Sequence, residues 1–272
     1  MVRDENNQET TLKPGGGWRL FYLQHENRIL SWSSLIIFLI LWELIPALGL
    51  VKPLFTSSPS RILEAAIWLF EHGGLWHDIQ VSSTEFGAGI SLAVLIGVPF
   101  GIALGWSRRL YAIFDLFISA LYATPRVALL PLLILWLGIG IYSKIAVVFL
   151  GAIFPILVNV IAGMSTIDQT LLKCARSFGA NDRQIFMTLA IPSSIPFIIA
   201  GMRLAVGRDL VGVVVGELVA STAGIGHMMS IAGATFQTDK VFVGIILLAG
   251  TGVFLTELLK RLEQRVTQWR PH

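Results

Sequence analysis

Apolar and polar residues alternate along this chain in long blocks. Six of the apolar blocks are about 20 residues long, which is the length that a helix needs to cross the hydrocarbon core of a bilayer. An open chain crosses lipid only as helices, because every backbone amide and carbonyl must find a partner within its own segment. The pattern therefore predicts an all-α membrane protein with six transmembrane helices, at roughly 32–51, 86–106, 116–137, 145–163, 194–220 and 241–259.

Two of these blocks have internal features. The third contains Pro125 and Pro131, so we expect it to be kinked. The second carries Gly97, Gly101 and Gly105 at intervals of four residues. Small residues at that spacing allow two helices to approach closely, whereas the alternative is the ordinary abundance of glycine in membrane helices.

Composition agrees with a polytopic membrane protein. Hydrophobic residues make up 54% of the 272 residues and charged residues 14%, against about 25% charged in an ordinary soluble protein. The net charge is +3, and the basic residues do not cluster into a stripe, so nucleic-acid binding is not expected. Cys174 is the single cysteine, which excludes an intrachain disulfide.

The distribution of Lys and Arg predicts the orientation. Thirteen of them fall in the N-terminal leader, the second-to-third connection, the fourth-to-fifth connection and the C-terminal tail, and four fall in the connections on the other side. The richer side is expected to be cytoplasmic, which places both termini there. We assign residues 1–28 as a polar cytoplasmic leader and residues 29–272 as the transmembrane domain.

Two connections on the outer side are long. Residues about 57–80 predict an amphipathic helix on the outer surface, begun by a serine cap near Pro59. Its apolar positions are Ile62, Leu63, Ala66, Leu69 and Phe70. Residues 221–240 are rich in glycine and are suited to cover the outer mouth of a pathway.

The longest inner connection, residues about 165–192, is called the elbow below. Its pattern predicts a helix–turn–helix: Ser165 and Asp168 resemble a capping box, and Gly179 suits the left-handed residue that closes a helix. Asn181 is placed to cap the second helix, and Pro192 marks its junction with the fifth span. Such an element is either a stiff connector or a docking surface, and the pattern alone fits both.

A charge inside a predicted span is costly unless it faces a partner or water, and four of the charged residues within the spans are candidates to line a path. They are Arg126, Arg208, Asp209 and Glu217. In one interpretation the two arginines line a translocation path and favour anions. In the other, these groups form buried pairs with Glu217 or Asp209 that hold the helices in register.

The chain carries no pattern typical of a catalytic or metal site. The five histidines are scattered without ligand spacing, so no metal site is predicted. The sequence contains neither a Gly-x-Ser-x-Gly nucleophile elbow nor a Gly-x-x-x-x-Gly-Lys-Ser/Thr phosphate loop. We therefore predict no catalytic residues and no nucleotide bound by this chain itself.

The elbow resembles the cytoplasmic EAA loop of permeases of binding-protein-dependent ABC importers. Gly179 takes the glycine position of that pattern, Leu189 and Ile191 the aliphatic positions, and Pro192 the proline. At the Glu-Ala-Ala positions stand Lys173, Cys174 and Ala175, of which only the last matches. Other stretches resemble the nitrate/sulfonate/taurine branch of these permeases: SPSRIL (58–63), TPRVALLPLLILWLGIGIYSKI (124–145), FPILVNVIAGM (154–164), GMRLAVGRDLVGVVVGEL (201–218) and AGIGHMM (223–229).

The resemblance implies a permease subunit with the type I importer fold in the bacterial plasma (inner) membrane. It implies a homodimer that takes a small solute, an organic or inorganic anion such as a sulfonate, taurine or nitrate, from an extracytoplasmic binding protein. It also implies two ATPase subunits that bind ATP and Mg and dock on the elbow to drive alternating access. The alternatives are a stand-alone secondary transporter or channel, for which we see no repeat between the halves, and an intramembrane enzyme, for which no residue pair is placed.

Overall fold

The computed structural model describes residues 17–52 and 55–267, with side chains over 30–52 and 55–266. Every regular element within these ranges is a helix, which confirms the all-α prediction. The helices are α1 Gly17–Ala47, α2 Pro59–Glu71, α3 Leu75–Trp106, α4 Arg108–Ala123, α5 Leu130–Leu137, α6 Ile141–Ser165, α7 Gln169–Ser177, α8 Asp182–Ile185, α9 Ile191–Ala220, α10 Ile225–Ala234 and α11 Thr238–Thr267, with a 3-10 turn at Arg126–Leu129 and a π turn at Phe186–Ala190.

Among the described residues, five helices are long and apolar enough to cross a membrane, and the number is six if a pair of helices with a sharp bend is counted as one span. The third predicted span is not one kinked helix but two helices, α4 and the Arg126–Leu137 segment, set 87° apart. Pro125 causes the break: it lacks an amide hydrogen and disfavours helical geometry in the residue before it. Thr124 is accordingly extended, with ψ of 128°.

The described chain divides into two compact units, Met1–Ser60 and Arg61–His272. In the first unit, α1 begins at Gly17, so residues 17–28 of the predicted leader already belong to this helix. Residues 1–16 of the leader lie outside the described residues. Glu43 accepts hydrogen bonds from the amide (3.1 Å) and hydroxyl (2.6 Å) of Ser60. The first turn of α2 is thus capped by Glu43 and not by a serine as predicted.

The predicted outer amphipathic segment comprises α2 and the first residues of α3. Ile62 and Leu69 are buried, but Leu63 and Phe70 are more than half exposed, so the buried stripe is narrower than predicted. In the second unit α2 is tied to the start of α11. Arg61 pairs with Asp239 at 2.7 Å, and the Lys240 ammonium lies 3.8 Å from the Trp68 ring centroid.

Helices α3, α6 and α9 form the core of the second unit, and glycines set the spacing of α3 and α6. A Cβ on Gly101 would lie 2.9 Å from Val160 Cβ, and one on Gly105 would lie 2.5 Å from Met164 Cβ. Both distances are shorter than carbon atoms tolerate, so no larger residue fits without moving α6. The predicted close crossing is confirmed, and α6 is the partner helix.

Candidate functional site

The first half of the elbow is α7, and Asp168 is its N-cap residue. The Asp168 carboxylate accepts a hydrogen bond from the Thr170 amide at 2.7 Å. Ser165 does not cap this helix, because α6 extends through it and its hydroxyl donates to the Ile161 carbonyl instead. The predicted Ser165–Asp168 capping box is therefore wrong, although a helix does begin here.

The turn of the elbow depends on Gly179. Its φ of +81° lies in the left-handed region, as predicted. The Gly179 amide donates to the Arg176 carbonyl (2.9 Å) and the Ala180 amide to the Ala175 carbonyl (3.0 Å). This pair of bonds is the Schellman motif, which satisfies the last carbonyls of α7 and fixes the direction of the chain.

The second half of the elbow is capped as the sequence predicted. The Asn181 side chain accepts from the Gln184 amide (2.9 Å), and the Gln184 side chain accepts from the Asn181 amide (2.8 Å). The predicted junction at Pro192 is confirmed: α9 begins at Ile191 with Pro192 in its first turn, and the chain stays helical across this point from Asp182 to Ala220. The wider π turn at Phe186–Ala190 provides the transition, and such turns are frequent at functional sites.

The elbow is anchored on one side and exposes two large apolar side chains on the other. Ile185 is buried, and the Phe186 ring packs edge-on against Trp106 with centroids 5.0 Å apart. By contrast, Phe178 is 87% exposed and Met187 58% exposed. Lys173 and Cys174 are also exposed on α7, whereas Leu189 and Ile191 are partly buried. Sequence reasoning did not single out Phe178, and an aromatic residue directly before the turn glycine is the signal that would have found it.

Two of the four intramembrane charges pair with each other. Arg126, at the start of the 3-10 turn, lies 2.7 Å from Asp209 Oδ1 on α9 and also donates to the Gly151 carbonyl at 2.9 Å. Asp209 is 1% exposed. A Cβ on Gly151 would overlap the Asp209 carboxylate, so this glycine makes room for the pair. For these two residues the geometry supports the structural interpretation.

Glu217 does not pair with either arginine. Its carboxylate accepts from the Ser82 hydroxyl at 2.5 Å and from the Gly226 amide at 2.6 Å. Two further buried charges, Glu85 and Lys144, are each 2% exposed and interact electrostatically. Sequence reasoning missed both. It placed Lys144 in an outer connection, but the structure buries it in the first turn of α6. It began the second span at 86, just after Glu85, but α3 begins at Leu75.

Arg208 is the remaining charge of the four. It is exposed on α9 and donates to the Tyr122 hydroxyl at 3.3 Å. Among the described residues, no carboxylate oxygen lies within ion-pair distance of it, although its charge interacts with that of the neighbouring Asp209. Tyr122 also lines a cavity of about 650 Å³ between the ends of α3, α4 and α6, together with Trp106, Arg108 and Tyr111. The structure therefore does not bring the four predicted path residues together as one group.

Comparison with known proteins places this geometry in a family. The family described as "Binding-protein-dependent transport system inner membrane component" matches residues 97–268. The taurine transport system permease protein TauC of Escherichia coli (strain K12) is 33% identical over 245 residues, which are 88% of this chain and 89% of that protein. The formylaminopyrimidine transport permease protein ThiX of Halalkalibacterium halodurans is 29% identical over 236 residues, 86% of this chain and 93% of that protein.

A solved structure shows the same fold. An inward-facing form of the MetNI methionine ABC transporter superposes with a TM-score of 0.64 at 18% identity, covering 72% of this chain and 99% of that one. The helical spans, the capped elbow and these sequence matches all indicate the same family. The chain belongs to the binding-protein-dependent transport family and is the permease subunit of an ABC importer, a multi-pass inner membrane protein that works with an ATPase subunit and a solute-binding protein.

Proposed function

We propose that the elbow is the contact through which the ATPase drives this permease. The observation that carries the proposal is Phe178, an aromatic side chain 87% exposed at the tip of a turn that two caps hold rigid. A large exposed apolar side chain on a polar segment is typical of a protein contact. The buried Ile185 and the Phe186–Trp106 contact tie the same segment to the transmembrane helices. Force applied at Phe178 is therefore transmitted to α9 and α3.

The assembly that we propose is a homodimer of this chain with two ATPase subunits, which bind ATP and Mg. The elbow, the leader and the C-terminal tail face the cytoplasm, because Lys and Arg are concentrated in those segments. Closure of the ATPase pair draws the two elbows together and opens the outer side, and hydrolysis returns the dimer to the inward-facing state.

The proposed solute is a small organic anion of the sulfonate class. A relative that shares 33% identity is named as a taurine permease, and taurine carries a sulfonate group. Arg208 supports an anion, since an exposed arginine without an ion-pair partner is costly in lipid and is expected to face water. The relative named for formylaminopyrimidine is the reason to include an uncharged heterocycle among the solutes tested.

Reconstitution tests the proposal. The purified permease, its ATPase and its binding protein are placed in proteoliposomes, and uptake of labelled taurine, nitrate and formylaminopyrimidine is measured with and without ATP. We expect ATP-dependent uptake of taurine only when all three proteins are present. Uptake by the permease alone would instead support the stand-alone transporter, and uptake of formylaminopyrimidine alone would overturn the sulfonate assignment without affecting the coupling proposal.

A further inference from the structure

Helix α10 is capped by side chains from other helices. Its N-cap residue, Gly224, has no side chain to offer. The amide of Gly224 donates to Asp78 Oδ1 at 2.8 Å, and the next two amides, those of Ile225 and Gly226, donate to Ser82 Oγ at 2.9 Å and to Glu217 Oε2 at 2.6 Å. Three consecutive amides that a helix leaves unpaired are thus satisfied from α3 and α9. We call Asp78, Ser82 and Glu217 the clamp.

The clamp residues are linked to one another. The Ser82 hydroxyl accepts from Ile225 and at the same time donates to Glu217 Oε1 at 2.5 Å. Ser82 is 5% exposed and Glu217 is fully buried. A Cβ on Gly226 would lie 2.6 Å from the Val214 carbonyl, so the chain approaches α9 as closely as glycine allows. A small displacement of α10 therefore breaks all three bonds together.

The rest of α10 is held differently. Its buried side chains are apolar, and Met229 packs so close to Gly244 of α11 that a Cβ there would overlap it. Methionine is flexible and tolerates repacking. After α10 the chain reverses through Phe236, a non-glycine residue with φ of +56°. The helix is thus fixed by directional bonds at its start and by adaptable contacts along its length.

The carboxyl groups next to the clamp make it unfavourable for α10 to move away unless water replaces its contacts. Asp78, Glu85 and Glu217 bring three carboxyl groups to this region, and Lys144 is the cation that interacts with Glu85. Glu85 Oε2 accepts no hydrogen bond from the described residues. The amide end of α10 supplies part of the positive potential that these carboxyl groups need. If α10 moved away in a dry interior, Glu217 would keep its bonds to Ser82 and Glu85 but lose the Gly226 amide, and the three amides of α10 would lose their acceptors, which is unfavourable.

We infer that Asp78, Ser82 and Glu217 are positioning residues for transport, which hold α10 closed at the outer end and release it when water enters as the permease opens outward. The inference rests on the proposed orientation and alternating access. In this inference α10 is the element that moves at the outer side, and the three clamp residues hold it in place until it moves.

Maleimide labelling tests the inference. Cys174, the single cysteine of the chain, lies on the elbow and is kept, and peptide mass spectrometry distinguishes its labelling from that of an introduced cysteine. Ala232 lies on α10 and is 3% exposed, which makes A232C a reporter of its release. The complete importer is reconstituted in nanodiscs, and the labelling rate is compared without nucleotide and after trapping with ATP and orthovanadate in the presence of the binding protein. We expect slow labelling in the first state and labelling on the order of tenfold faster in the trapped state.

Two variants separate the clamp from general loosening of the fold. S82A removes the acceptor for Ile225 and is expected to speed labelling of A232C without nucleotide, toward the rate of the trapped state. T84A is the matched control, because the Thr84 hydroxyl bonds only within α3, to the Gln80 carbonyl. Equal rates in the two nucleotide states would overturn the inference, and so would equal acceleration by S82A and T84A. Absence of ATP-driven uptake by the native permease with its ATPase and binding protein would count against the proposed function instead, whatever the labelling shows.

Discussion

Arg126 and Asp209 form an ion pair at 2.7 Å that joins the 3-10 turn after α4 to the middle of α9. The pair sits on the backbone of α6, where Gly151 leaves room for it and its carbonyl accepts a second bond from Arg126. Three segments that lie far apart in sequence are thus fastened at one point. The break at Pro125 makes this fastening necessary, because the turn after it has no helical continuation to hold it.

R126M is expected to destabilise the permease strongly. Removing one partner of a buried pair costs about 3–5 kcal/mol, because the other charge stays buried without compensation. The double variant R126M/D209L, which removes both charges, should recover much of the loss. Thermal unfolding of the purified permease in detergent measures both effects. A melting temperature of R126M equal to that of the parent protein would show that the pair does not hold the helices together.

Substitution of the glycines of α3 should depend on their position. G101A places a Cβ 2.9 Å from Val160 Cβ and should cost about 1–3 kcal/mol through overpacking. G87A is the control in the same helix, since nothing lies within 4 Å of a Cβ there. It should be neutral or stabilise by up to about 1 kcal/mol, because alanine is the better helix former. Thermal unfolding of the two variants gives the comparison, and equal melting temperatures would contradict the close packing of α3 on α6.

G179D should insert in the membrane normally and abolish uptake. Asn and Asp adopt the left-handed conformation more readily than other side chains, so the turn survives. The carboxylate, however, would be buried without a partner when the ATPase docks. G179N is the matched control, which keeps the shape without the charge and should retain most of the uptake. Membrane content and ATP-driven uptake are measured together, and unchanged uptake by G179D would count against the docking role.

The contrast between Gly179 and Lys144 explains what the sequence can predict here. The turn at Gly179 and the cap at Asn181 are local devices, so the residues that cause them stand within three positions of each other. Glu85 interacts with Lys144, 59 positions away, and with Glu217, 132 positions away, and the Lys144 side chain packs against Gly216, 72 positions away. Their own neighbourhoods look like polar connections, and α3 was therefore predicted to begin eleven residues late, at 86 instead of Leu75. The Arg126–Asp209 pair was predicted only as one of two alternatives for the same reason.

F178A should weaken binding of the ATPase, whereas F186A should lower the melting temperature. Phe178 contacts solvent, so F178A should leave the melting temperature of the permease unchanged. Burying a Phe side chain is worth about 1.5–3 kcal/mol, which predicts an affinity for the ATPase lower by about 10- to 150-fold. Phe186 packs on Trp106, so F186A should lower the melting temperature. Binding of the isolated ATPase to the permease in nanodiscs, measured beside thermal unfolding, tests both, and normal ATPase binding by F178A would place the contact elsewhere on the elbow.

R208Q should impair uptake of an anionic solute while leaving assembly intact. A hydrogen bond to a charged group is worth about 1.5–3 kcal/mol, so loss of one contact between Arg208 and the solute predicts uptake lower by at least about tenfold. R208K keeps the charge and should retain part of the activity. R203Q is the control on the same helix, because Arg203 pairs with Glu263 at 2.9 Å and has no assigned role in the path. The measurements are ATP-driven uptake at several solute concentrations and binding of the ATPase. If R208Q and R203Q reduce uptake equally, or if R208Q prevents ATPase binding, then Arg208 supports the structure and does not select the solute.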